Sequence, residues 1–97
     1  MAGTTVGSQL ITEDGVLGIS GQAKTVYAMH LLSGATAGIV KLRNGTAVTS
    51  TIYVQQTAPT VSTGNTFVYE DGFFFPAGCY VDVDANVTSV LLSYKEF

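Results

Sequence analysis

Residues 79–84, CYVDVD, send two chemistries to opposite sides of an extended chain. Cys79, Val81 and Val83 lie on one side; Tyr80, Asp82 and Asp84 lie on the other. A period of two marks a strand with one face in a core. The other apolar runs are equally short and end at turn residues. QLIT (9–12) stops at Glu13-Asp14-Gly15, VLGIS (16–20) at Gly21-Gln22, and TFVYE (66–70) at Asp71-Gly72. No stretch keeps a helical period over a useful length. Charged residues make up 11% of the chain and Val, Thr, Ile, Tyr and Phe are frequent, which favours strands and argues against disorder.

The 97 residues suffice for one small domain with a single core. The spacing of runs and turns predicts seven or eight short strands in an all-β, single-domain antiparallel β-sandwich, for which a jelly roll is one available form. Residues 1–9 are small and polar and read as a flexible N-terminal arm; residues 10–97 form the domain. In KTVYAMHLLSG (24–34), Tyr27, Met29 and Leu31 share one side, and Val26, Ala28, His30 and Leu32 the other. Both sides are largely apolar, which predicts a central strand covered on both faces or nearly so.

Asn44-Gly45 between two strand-like runs predicts a two-residue type I′ hairpin, with Val40 and Leu42 inward and Lys41 and Arg43 in solvent. Val48, Ile52 and Val54 fall on the wrong parity for that register, so a bulge near 49–51 or a longer loop is needed. Residues 55–65 read as an exposed loop. Phe73-Phe74-Phe75 cannot all face one core. Phe73 and Phe75 are expected inside; Phe74 is to be covered by the arm or a loop of its own chain or, the preferred reading, buried between subunits, while Pro76 and Gly78 end the run. GSQLITEDGVLGISG (7–21) and GNTFVYEDGFFFPAG (64–78) echo one another, which reads as two turns of similar chemistry rather than a repeat.

Signals for catalysis are sparse. His30 is the sole histidine and sits in an apolar strand, so a packed or interface role outweighs that of a base. Cys79 reads as a small buried hydrophobe. Glu13-Asp14 and Glu70-Asp71 precede glycine, as turn residues do, and are not read as a glycosidase pair. Asp82 and Asp84 read as a solvated strand face, since no third ligand accompanies them. The expectation is no enzyme, no cofactor and no metal site. With Lys24, Lys41, Arg43 and Lys95 as the only cations, no patch can neutralise several phosphates, so neither nucleic acid nor a membrane surface is an expected partner. No apolar run has the length of a membrane-spanning helix. The first nine residues lack the pattern of a signal peptide, and the single cysteine fits synthesis in a reducing cytosol. Asn44-Gly45-Thr46 and Asn86-Val87-Thr88 match the glycosylation acceptor pattern but are read as turns.

KTVYAMHLLSGATAGIVKLRNGT (24–46) followed by TFVYEDGFFFPAGCYVDVDANVTSVLLSY (66–94) resembles the small all-β virion proteins of tailed bacteriophages, of the capsid decoration (cement) type. The shared features are a strand leading to the Ser33–Arg43 segment, the turn before FFFPAGCYV and the closing VTSV…Y, over most of the chain. The resemblance implies a virion protein made in the host cytoplasm. It would bind the major capsid protein on the capsid surface and stabilise the phage head, as a homo-oligomer with a trimer favoured. The arm would lace over a neighbour. The interface residues expected on this view are Phe74, Pro76, Tyr80, Thr4, Thr5 and Val6. The alternative is a tail or capsid-surface module that recognises host glycans through tyrosines and the loop 55–65.

Overall fold

The computed structural model describes residues 7–34, 36–58 and 65–97. Thr4, Thr5 and Val6, expected at an interface, lie outside these residues. Eight strands run in the order β1 (Gly7–Ile11), β2 (Gly15–Val16), β3 (Lys24–Ser33), β4 (Gly38–Asn44), β5 (Thr51–Ala58), β6 (Asn65–Phe75), β7 (Cys79–Val83) and β8 (Val87–Glu96). They form two antiparallel four-stranded sheets, β1-β8-β3-β6 (sheet A) and β2-β7-β4-β5 (sheet B). An all-β sandwich is therefore the architecture, as the sequence predicts. The pairing is nested: β1 with β8, β2 with β7, β3 with β6 and β4 with β5. That is the path of one long hairpin folded over on itself.

The core lies between the sheets. Sheet A contributes Ile11, Val26, Met29, Leu31, Phe75, Val90 and Leu92, and sheet B contributes Val40, Leu42, Val54, Cys79 and Val81. Leu17, just past β2, fills the same core. Alternation sets most of these positions. In β3 it needs help, because the pairing with β8 shifts between Val26 and Ala28, leaving Tyr27 as a bulge. The bulge returns Val26 to the side of Met29 and Leu31, so the parity read directly from the sequence is corrected there.

Four further expectations are corrected. Gly7, Ser8 and Gln9, expected in the arm, pair with Tyr94, Ser93 and Leu92 of β8. Asn44-Gly45 does not close a two-residue hairpin. The connection runs from Gly45 to Ser50, and a shift opposite Leu42/Arg43 makes Tyr53 a bulge. Val54 then reaches the core while Val48 and Ile52 stay exposed, which resolves the parity conflict by the longer loop. Asp71-Gly72 does not turn the chain either: β6 continues through it as one strand. Between Val68, opposite Ala28, and Phe73, opposite Val26, four residues of β6 face only Tyr27. Gly72 holds φ +80° in this wide bulge, and a Cβ there would strike the side chains of Thr25 and Tyr27. The first Glu-Asp-Gly instead carries the chain from sheet A to sheet B, so the two echoing segments do different work. Finally, Gln55–Ala58, read as loop, belongs to β5.

One buried ion pair fixes the end of the sandwich where β3 starts. Lys24 points inward from the first position of β3 and is fully buried. Its Nζ lies 3.1 Å from Glu96 Oε1 and donates to the carbonyls of Leu17 (2.7 Å) and Ile19 (2.8 Å). Glu96 also accepts from the Ile19 amide at 2.6 Å. The β2–β3 connection thus closes on the last strand. Gly18 bends at φ +62° over the Glu96 carboxylate, leaving no room for a side chain. Removing one partner of a buried pair leaves the other charge uncompensated. Lys24→Ala is expected to lower the unfolding free energy by about 3 kcal/mol in urea denaturation. Glu96→Gln leaves the fully buried Lys24 ammonium without its counter-charge and should cost a comparable amount. No loss from either substitution would show that this contact is not a pin.

Candidate interaction surface

The two outer faces of the sandwich differ in chemistry. On sheet B the outward positions of β4 and β7 include Lys41, Arg43, Tyr80 and Asp82. Arg43 donates to Asp82 Oδ2 from Nε (3.1 Å) and NH2 (2.9 Å) and to the Ser50 carbonyl from NH1. This is a charged, internally paired surface. On sheet A the register puts Leu10 beside Leu91, Leu91 beside His30, and His30 beside Thr66 in one row across all four strands. The next row is Ser8, Ser93, Ala28 and Val68, and the one after it holds Lys95, Thr25 and Phe74. Leu10 (60%), Val68 (72%), Phe74 (52%), Leu91 (41%) and Phe97 (51%) are exposed on or beside this face. Lys95 is the only charged side chain in these rows, and it lies 5.5 Å from the centre of the Phe97 ring. Phe97 also meets Phe74 edge-on at 5.9 Å.

The expected interface residues do not gather in one place. Phe74 stands on the outer face of sheet A. Tyr80 is half-buried on the outer face of sheet B, beside Val16 and Arg43, and Pro76 is exposed in the connection between β6 and β7. The expectation that Phe73 and Phe75 enter the core holds for Phe75, which is fully buried, but not fully for Phe73. Phe73 points inward from an edge strand and remains 36% exposed. It closes the open side of the sandwich with Tyr53, Tyr69 and Phe75, at centroid distances of 5.5–6.3 Å. The Tyr53 hydroxyl accepts from Asn44 Nδ2 and the Tyr69 hydroxyl from Gln56 Nε2, both at 3.2 Å. Burial pushes the Tyr69 phenol upward, against the smaller opposing effect of the Gln56 hydrogen bond.

Two of the six carboxylates singled out in the sequence hold backbone, and Asp82 pairs with Arg43. Asp14 accepts from the Val83 amide, and Asp84 accepts from Ile39 and Asn86. Asp14, Val83 and Asp84 line an open hollow of about 500 Å³ with Thr12, Glu13 and Val87. No group of three or more metal-ligating side chains occurs among the described residues. His30 is exposed and shares a 2.8 Å hydrogen bond between Nδ1 and Thr66 Oγ1. The sequence reading does not single out Leu10, Val68, Leu91 or Phe97. Their signal was the apolar character of both sides of β3, which calls for a second cover. No family model, curated protein or solved structure matches the chain.

Cys79 is fully buried in the core, and desolvation pushes its thiol to about 12, with the Lys24 charge pulling weakly the other way. A pKa raised by folding gives stability that is complete below the unfolded value of 9.0 and fades as pH rises towards about 12. Tyr94, raised by desolvation and then by Glu96, works in the same direction at the alkaline end. Urea midpoints are therefore expected to fall above about pH 9. Cys79→Ala should flatten part of that fall, and the native thiol should resist alkylation at pH 8 until the protein unfolds. Rapid native alkylation would contradict this assignment.

Proposed function

We propose that this protein is a structural component of a virus particle, a capsid decoration protein of a tailed phage that binds the major capsid protein non-covalently. The observation that carries the reading is the outer face of sheet A, four strands wide, on or beside which Leu10, Val68, Phe74, Leu91 and Phe97 stand exposed. Monomeric soluble proteins rarely keep such a patch uncovered. Burying apolar surface contributes about 25 cal/mol per Å², so even a modest patch outweighs several surface ion pairs. A decoration protein works by this means: it buries surface across the joints between capsomers and raises the barrier to shell rupture.

Two further points support the reading. The segments 24–46 and 66–94 resemble phage virion proteins in their runs of strand and turn residues. On this reading we take the nested strand pairing as a jelly roll, an architecture that serves viral capsid and lectin domains alike. On this reading the protein is made in the host cytoplasm and acts on the capsid surface as a homo-oligomer. The test is to mix purified protein with heads that lack it, sediment them, and heat them. Co-sedimentation and a higher rupture temperature are expected; the absence of both would refute the proposal.

A module that recognises host glycans is the second reading, and one observation favours it. Tyr53 and Tyr69 meet Phe73 at the open side of the sandwich, and each tyrosine hydroxyl accepts an amide bond that leaves its own proton free to donate. Aromatic faces beside neutral donors suit sugar rings. If the reading holds, a glycan array retains the protein and Tyr53→Ala loses the signal. No retention by any glycan would remove it.

A further inference from the structure

We infer that Asn44-Gly45 is a self-modifying site that the fold keeps locked, so that an opening at this end of the sandwich is recorded as an irreversible loss of the Asn44 amide. This is chemistry within the chain and stands apart from the proposed function.

The residue pair supplies the reaction. Gly45 offers its backbone nitrogen to the Asn44 carboxamide with no side chain in the way. The nitrogen gives up its proton and bonds to Asn44 Cγ, the Cγ–Nδ2 bond breaks, and ammonia departs with the proton. A five-membered imide remains. Water then opens it at either carbonyl, leaving aspartate or isoaspartate at position 44. No metal, oxidant or enzyme takes part. The other two asparagines, Asn65 and Asn86, precede Thr66 and Val87, whose branched side chains crowd the attacking nitrogen.

In the folded chain both reacting groups are committed elsewhere. The Gly45 amide donates to the Gly78 carbonyl at 3.0 Å. Asn44 Oδ1 accepts from the Ala77 amide at 2.9 Å, and Nδ2 donates to the Tyr53 hydroxyl at 3.2 Å. Asn44 is also the last residue of β4, paired with Thr51 on one side and Cys79 on the other. Closing the ring swings Cγ onto the Gly45 nitrogen, which breaks all three hydrogen bonds. The glycine itself is one the fold cannot exchange: it sits at φ +152°, and the Ser50 side chain occupies the place of a Cβ. The connection beyond it, residues 46–49, is exposed, so this end can open without the whole sandwich unfolding. Isoaspartate would add a carbon to the main chain between the last pair of β4 and Gly45, and the lock would not re-form in register. Tyr53 packs on Phe73 and Phe75, so losing its Asn44 partner loosens the open aromatic side of the sandwich.

The test follows Asn44 by peptide mass mapping of the full chain, held at mildly alkaline pH either native or unfolded in urea. The mass gained when an amide becomes an acid separates this event from isomerisation at Asp14-Gly15 and Asp71-Gly72, which changes no mass. Unfolded chains should lose the amide, and native chains should do so at least about tenfold more slowly, because only the open fraction reacts. Tyr53→Phe removes the hydroxyl that holds Nδ2 but keeps the ring, and should speed the native reaction by about threefold. Thr66→Val removes a hydroxyl from the His30 hydrogen bond on sheet A and should not. Modified chains, separable by their added negative charge, should unfold at lower urea concentration than intact ones. Equal rates in native and unfolded chains would overturn the inference. So would a native rate that Tyr53→Phe leaves unchanged or that Thr66→Val raises equally, or modified chains as stable as intact ones. None of these results bears on sedimentation with phage heads, which tests the proposed function by itself.

Discussion

The parity of β3 is the constraint on which the rest of this molecule depends. β3 pairs with both β8 and β6, and its inward side chains meet sheet B. In an unbroken strand, Val26 would face away from Met29 and Leu31. The bulge at Tyr27 removes that conflict, and its effect reaches the end of the strand. Lys24 shares the parity of Val26, so the bulge also turns the lysine inward. There it meets Glu96 and the carbonyls of Leu17 and Ile19. A one-residue shift in backbone pairing thus decides both the core and the buried ion pair that anchors the last strand.

Strand identity was legible because it depends on local alternation. Cys79, Val81 and Val83 against Tyr80, Asp82 and Asp84 read correctly, as did Val40 and Leu42 against Lys41 and Arg43. The bulges and the ends of elements were not legible, because distant residues set them. Glu70-Asp71-Gly72 has the composition of a turn, but β3 runs alongside and holds Phe73 to Phe75 in register opposite Lys24 to Val26. The extra residues are therefore taken up as a bulge within one strand. Asn44-Gly45 has the composition of a tight hairpin, yet Asn44 is committed elsewhere. Its Oδ1 accepts from the Ala77 amide and its Nδ2 donates to Tyr53. Those contacts tie the end of β4 to the β6–β7 connection and to β5, and six residues bridge β4 and β5.

The candidate site was only half legible for a related reason. Sequence identifies residue types that could do chemistry, but it does not show which are already occupied by the fold. Asp14, Asp82, Asp84 and Glu96 all hold partners within the chain. What remains is a surface rather than a cluster of reactive groups. Phe74 alone of the three expected interface residues within the described chain lies on it. Leu10, Leu91 and Val68 join it only through strand order, because β1, β8, β3 and β6 are adjacent in space and far apart in sequence.

The apolar outer face and the inward Lys24 belong to one economy of charge. A sandwich of 97 residues has little core to spare, yet it places a lysine inside and leaves Leu10, Val68, Phe74, Leu91 and Phe97 outside. For an isolated domain that arrangement loses twice, through desolvation of the ion pair and through apolar surface left in water. It becomes coherent if the outer face is a second core shared between molecules. The ion pair then holds the C-terminal strand, with Phe97 fixed through its amide to the Ala23 carbonyl, as a rigid rim for that shared layer. Rigidity matters there because a face that is ordered before it docks loses less entropy on docking.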